Sequence, residues 1–122
     1  MQKHTAKKEK LTLWEAFEKW HHALGEYWIK NIKTLNLDED YTLDLVCDTD
    51  PSIWEGECSA DPTVYEDVKR ITQKGSQTKV TLQEGYAEIG KALSQIFSYS
   101  DEYKEAFKQA NKAITFECWI KC

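Results

Sequence analysis

Apolar residues in this chain fall into two long stripes with helical spacing. Leu13, Phe17, Trp20, Leu24 and Trp28 recur every three or four residues. Leu82, Tyr86, Ile89, Leu93, Ile96 and Phe97 do the same. Such a stripe is the buried face of an amphipathic helix. Both stripes open with the same grammar. Thr12 with Glu15, and Thr81 with Glu84, match the capping box, in which a hydroxyl and a carboxylate each satisfy an orphan backbone amide. The pattern predicts helices from Thr12 to about Lys33 and from Thr81 onward. Lys30 and Lys33 suit the negative end of the first helix dipole. Superposed at an offset of 69, Leu11–Trp28 and Val80–Phe97 share Thr, Leu and Glu at the start and Ala-Leu in the middle. The repeat is consistent with a duplicated helical hairpin, although two capped amphipathic helices share such features without duplication.

A shorter echo lies between them. Asp50-Pro51-Ser52-Ile53-Trp54-Glu55 returns as Asp61-Pro62-Thr63-Val64-Tyr65-Glu66. Asp at the N-cap followed by Pro at the first helical position is a strong helix start. Helices are therefore expected over about 51 to 58 and 62 to 73, the second ended by Lys74-Gly75-Ser76. A further stripe through Tyr103, Phe107 and Ala110 predicts a helix from near Asp101 to about 114. Tyr41–Cys47 and Ile114–Ile120 alternate with period two, so a short two-stranded ribbon between them competes with a helical reading. The fold class is mostly all-α: one helical domain of about five helices over 11–122, preceded by a flexible basic arm, 1–10.

Size and composition agree. At 122 residues the chain is long enough for a real core. Five Trp, six Tyr and four Phe argue against a disordered acidic tail. No apolar run reaches the roughly 20 residues of a membrane helix, and Met1–Lys10 lacks the apolar core of a secretory signal. The cytoplasm is the expected compartment, and no membrane partner is expected. There, Cys47, Cys58, Cys118 and Cys122 are expected as free thiols. Only Cys118 and Cys122 have metal-ligand spacing, which disfavours a four-Cys zinc site.

Charge changes the picture most. The chain carries a net −5, yet residues 34 to 68 contain no Lys or Arg and eleven carboxylates, leaving +6 elsewhere. They are Asp38, Glu39, Asp40, Asp44, Asp48, Asp50, Glu55, Glu57, Asp61, Glu66 and Asp67. Asp50 and Asp61 are expected to cap helices. The others form a one-sign field, the kind that steers oppositely charged partners. Solubility alone is the plainer alternative. Trp54 and Tyr65 lie inside this stretch, either packed on the core or as aromatic anchors in a charged rim.

Other chemistries find little support. Calcium loops started at Asp38 or Asp48 place Leu43 or Ile53 where an EF-hand requires Gly. His21 and His22 are adjacent on a helix, so their side chains diverge by about 100° and do not share a metal easily. No phosphate loop, nucleophile elbow or zinc-protease signature is present, and no cofactor is expected. Net charge disfavours nucleic-acid binding. An acidic helical surface can instead imitate phosphate and occupy a nuclease's substrate site.

The stretch LTLWEAFEKWHHALGEYW and the motif Asp61-Pro62-Thr63-Val64-Tyr65-Glu66-Asp67 resemble segments of immunity proteins from bacterial polymorphic toxin systems of the contact-dependent growth inhibition type. Asn36 to Cys47 departs from the Asp-Asp-rich helical turn of that group. The resemblance implies a non-enzymatic, stoichiometric inhibitor of a basic, nuclease-type toxin domain. Its partner-binding residues would be Asp38, Glu39, Asp40, Asp44, Asp48, Trp54, Glu55, Glu57, Tyr65, Glu66 and Asp67. The rival expectations are a carboxylate-based small-molecule or metal-dependent enzyme, and a plain adaptor domain.

Overall fold

The computed structural model describes residues 10–31, 41–50 and 59–122. Its elements are β1 (Lys10–Thr12), α1 (Leu13–Asn31), α2 (Tyr41–Asp48), α3 (Pro62–Thr72), β2 (Lys79–Thr81), α4 (Leu82–Ile96), α5 (Asp101–Ala113) and α6 (Phe116–Ile120). The mostly helical fold is as expected. The helix expected over 51 to 58 lies outside the described residues, as does the arm apart from Lys10, which belongs to β1 rather than to a tail.

Both capping boxes form. Glu15 N donates to Thr12 Oγ1 at 3.1 Å and Thr12 N to Glu15 Oε1 at 2.9 Å. The second box repeats this at Thr81 and Glu84, at 3.0 and 2.8 Å. An N-cap residue takes extended backbone angles, so each box can end a strand. β1 and β2 pair antiparallel in the register Lys10↔Thr81, Leu11↔Val80, Thr12↔Lys79. The offset of 69 relates Lys10 to Lys79, Leu11 to Val80 and Thr12 to Thr81. The pairing is therefore the one required by a local twofold axis through Leu11 and Val80. The sequence echo is a strand–cap–helix unit present twice, with the two copies joined through their strands.

The competing ribbon between 41–47 and 114–120 does not form: α2 covers the first segment, and α6 takes up 116–120 of the second. In α2 the alternating positions do not share a buried side: Leu45 is buried while Leu43 and Cys47 are exposed. Thr49, buried, closes the helix by donating its hydroxyl to Leu45 O at 2.9 Å. Near the other segment, α5 stops at Ala113 and Thr115 caps a new short helix, accepting from Cys118 N at 3.2 Å. The break turns Trp119 into the core, where it is fully buried.

α1 is the central helix, packed against α2, α4, α5 and α6. Phe17, Trp20 and Leu24 meet Ile89, Leu93, Phe97, Phe107 and Trp119 in one apolar cluster. Full burial of such a side chain contributes about 1.5–3 kcal/mol before entropy is counted. Trp20 stacks on Tyr86 at 5.4 Å and donates its indole N–H to the Tyr86 carbonyl at 3.2 Å. α3 begins as expected, with Asp61 Oδ1 accepting from Thr63 N at 3.1 Å and Pro62 following. Its end is not made by Gly75. Gln73 takes the left-handed turn at φ 59°.

Candidate functional site

The end of α2 and the start of α3 are stitched together by backbone hydrogen bonds. Ala60 N donates to Asp50 O at 2.8 Å and Asp61 N to Asp48 O at 3.4 Å. Asp48 and Asp61 are thereby brought close, with Asp44 one helical turn before Asp48. Burial pushes the Asp48 carboxyl above its ordinary range, and the charges of Asp61 and Asp44 push it further. Asp50 follows, its side chain exposed. Among the described residues, no Lys or Arg pairs with any of these four carboxylates.

α5 supplies the other half of the site. Tyr103 donates its hydroxyl to Asp44 Oδ2 at 2.6 Å. That bond holds the phenol protonated, far above its usual pKa, because ionising it would oppose the carboxylate directly. The Tyr103 ring packs edge-on against Tyr41 at 5.0 Å and beside Tyr99 at 4.9 Å. Tyr99 is 65% exposed. Its hydroxyl is also pushed upward, by partial burial and then by Asp48, Asp44 and Asp61. Aspartates from two elements and three tyrosines thus share one electrostatic neighbourhood. His21 borders it, with Nδ1 3.2 Å from the Thr49 hydroxyl and Nε2 3.8 Å from Asp50. Since Thr49 spends its own proton on Leu45, the contact calls for a proton on His21 Nδ1. Burial lowers the His21 pKa, against the pull of Asp50.

Of the residues expected to bind a partner, Asp44 and Asp48 lie in this neighbourhood. One other is corrected, and two are already paired within the chain. Tyr65 is fully buried, with its ring against Trp14 and Phe17 and its hydroxyl donated to Ser76 at 2.8 Å. It is a core residue, so it presents no anchor. Glu66 and Asp67 each form an ion pair within their own helix, with Lys69 at 3.0 Å and Arg70 at 3.1 Å. The Lys- and Arg-free stretch ends just before these two cations, and one helical turn brings them back onto the acids. Asp38, Glu39, Asp40, Trp54, Glu55 and Glu57 lie outside the described residues.

Sequence reasoning assigned Asp50 and Asp61 to capping alone and passed over Tyr41, Tyr99 and Tyr103. Tyr99 did carry a signal. It sits in Ser98-Tyr99-Ser100, off every helical stripe, where an aromatic has no core to enter. Among the described residues no group of three His, Cys, Asp or Glu side chains converges to hold a metal ion. None of their helices is long and apolar enough to cross a membrane. Carboxylates beside an exposed aromatic ring suit an ammonium or guanidinium group, which draws on both charge and the ring face. No family model, curated protein or solved structure matches this chain.

Proposed function

We propose that this chain binds a basic protein stoichiometrically, and that the partner is a cognate nuclease-type toxin domain that it neutralises in the producing cell's cytoplasm. The observation that carries the reading is the aspartate–tyrosine face. Asp44, Asp48 and Asp61 gather beside Tyr99, and Asp50 lies next to His21, with no Lys or Arg partner for any of the four among the described residues. Gathering like charges costs stability unless an opposite charge arrives. A cationic surface would relieve that cost on docking, and its field would accelerate encounter at low salt. The resemblance to immunity proteins supplies the toxin as the specific partner. Inhibition would follow from occupying the toxin's phosphate-binding surface and requires no catalysis.

The test is titration of the toxin domain encoded beside this gene against the wild type and a D44N/D48N/D50N variant. The variant should bind at least about tenfold more weakly in low salt, with the gap narrowing as salt screens the charges. Equal affinity, or no binding by the wild type, would remove the proposal.

A further inference from the structure

A second feature is independent of the acidic face. α1 and the corner between α5 and α6 enclose a cleft of about 420 Å³, walled by Tyr27 and Ile114 and reaching Cys118 and Cys122. Among the described residues its rim carries Lys30 and Lys121 against one side-chain carboxylate, Glu26. None of the acidic-face residues lines it. The volume falls within the roughly 300–1,000 Å³ typical of small-molecule sites.

The two thiols differ in kind. Cys118 is exposed. A hydrogen bond from the Thr115 hydroxyl lowers its pKa, and Lys30 and Lys121 lower it further. Cys122 is half-buried and points its S–H toward the Cys118 carbonyl, Sγ to O 3.4 Å. Burial, and then Glu26, push its pKa up. Cys47, on α2, is exposed but ringed by Asp44, Asp48 and Asp50, which hold its thiol protonated after burial has raised it. The reactive species of a thiol is its thiolate, so the described cysteines are ranked by their surroundings, with Cys118 first.

We propose that Cys118 is a site of reversible S-thiolation by small disulfides that carry carboxylates, drawn into the cleft by Lys30 and Lys121. The Cys118 thiolate attacks one sulfur of the incoming disulfide. A Cys118–S–S–R bond forms, the reagent's own S–S bond breaks, and the departing thiolate takes a proton from water. The reagent is the oxidant, so the electrons balance without any further species. Cys122 keeps its proton and takes no part.

Two probes of opposite character test this on the whole chain: dithiobis(nitrobenzoate), a dianion, and neutral dithiodipyridine, with peptide mass spectrometry locating each adduct. The dianion should modify Cys118 at least about tenfold faster than Cys47 or Cys122, as thiolate character and local charge require. Lys30→Gln with Lys121→Gln should slow both reagents through the lost thiolate, and slow the dianion at least about threefold more than the neutral one. Oxidised glutathione should add to the wild type at Cys118 and fail to do so in Cys118→Ser. Thr115→Ser should keep the wild-type pH–rate profile, while Thr115→Ala should move it to higher pH, with a melting curve confirming that each variant folds. Cys118 reacting no faster than Cys47, or the two reagents slowing equally in the lysine variant, would overturn the proposal.

Discussion

Ala16 and Gly85 occupy the same position in the two copies of the strand–cap–helix unit and face each other where α1 crosses α4. A Cβ added at Gly85 would lie 2.9 Å from Ala16 Cβ and 3.3 Å from the Trp119 ring. The internal twofold therefore runs through a contact in which one copy has a methyl group and the other must not. A second close approach lies further along α4, where a Cβ at Gly90 would lie 2.8 Å from Trp20. These glycines are buried inside a helix, where Ala would normally be preferred by about 1 kcal/mol. Close approach overrides that preference.

Gly85→Ala should therefore destabilise the protein by about 1–3 kcal/mol despite its gain in helix propensity, since overpacking displaces neighbours. Ala16→Gly alone should cost about 1 kcal/mol, the usual helix penalty. The double variant exchanges the methyl group between the two copies. Its loss should fall short of the sum of the single losses by at least about 0.5 kcal/mol, because the residues touch. The Trp119 contact keeps the recovery incomplete. Urea denaturation of all four proteins measures the coupling, and additive losses would deny the contact.

Two fully buried tryptophans make a second comparison. Trp20 donates its N–H to the Tyr86 carbonyl, whereas the buried Trp119 Nε1 has no partner among the described residues. Both variants lose ring volume on replacement by Phe. Trp20→Phe also strands a carbonyl, while Trp119→Phe removes an unsatisfied donor that costs about 1–3 kcal/mol to bury. Trp119→Phe should thus be the milder change by at least about 1 kcal/mol in chemical denaturation.

Much of the fold was legible because its signals are local. A capping box spans three residues and Asp-Pro spans two, so Thr12, Thr81, Asp61 and Pro62 mark their helix starts without help from the rest of the chain. The strand pairing was not legible. Three-residue strands carry no periodicity, and Lys10 and Thr81 are joined only by the folded chain. α2 read ambiguously because its choice between strand and helix rests on which residues α1 and α5 cover. At the candidate site, the excess of acid was visible, but the part of it already ion-paired was not. Glu66 and Asp67 lie in the unbroken acidic stretch, yet pair with cations just beyond it. Of the two roles open to Tyr65, core and anchor, it takes the first, since the cap at Asp61 directs it inward against Trp14.

His21 and Asp48 should give opposite pH responses. The folded-state pKa of His21 lies below its ordinary 6.5. The unfolded chain therefore binds the proton first, and stability present above pH 6.5 is lost as pH falls through the folded value. His21→Asn keeps a donor near the Nδ1 position and should flatten the decline in melting temperature on the acid side of neutrality. Asp48 has a raised folded pKa, so its ionised form opposes folding. Its contribution is complete below its ordinary value and is lost as pH rises through the folded one. Asp48→Asn should raise the melting temperature at neutral pH and leave it nearly unchanged in acid.

Gln73 ends α3 at φ 59°, a conformation that costs a residue with a Cβ about 1 kcal/mol or more. Its side chain is exposed, so packing does not hold it there. Gln73→Gly should stabilise the protein by up to about 1 kcal/mol, the strain relieved less the entropy that Gly adds to the unfolded chain. Gln73→Ala keeps the strain and should give no gain in the same thermal melts.

The acidic face predicts a division of labour among its tyrosines. Tyr99 is exposed and offers a ring to a partner's cation, whereas Tyr103 is tied to Asp44 and Tyr41. Tyr99→Ala should weaken binding of the basic partner by about 0.5–2 kcal/mol, the range for a cation over an aromatic face, with little change in stability. Tyr103→Phe should do the reverse. It removes the hydrogen bond that positions Asp44, lowering stability by about 0.5–1.5 kcal/mol, while leaving the carboxylate in place to meet the partner. E66Q/D67N alters acids already paired by Lys69 and Arg70 and should change affinity less than the D44N/D48N/D50N variant. Titrations in low salt, beside urea melts of each variant, separate the two effects. If E66Q/D67N weakened binding as strongly as D44N/D48N/D50N, total charge rather than this arrangement would govern association.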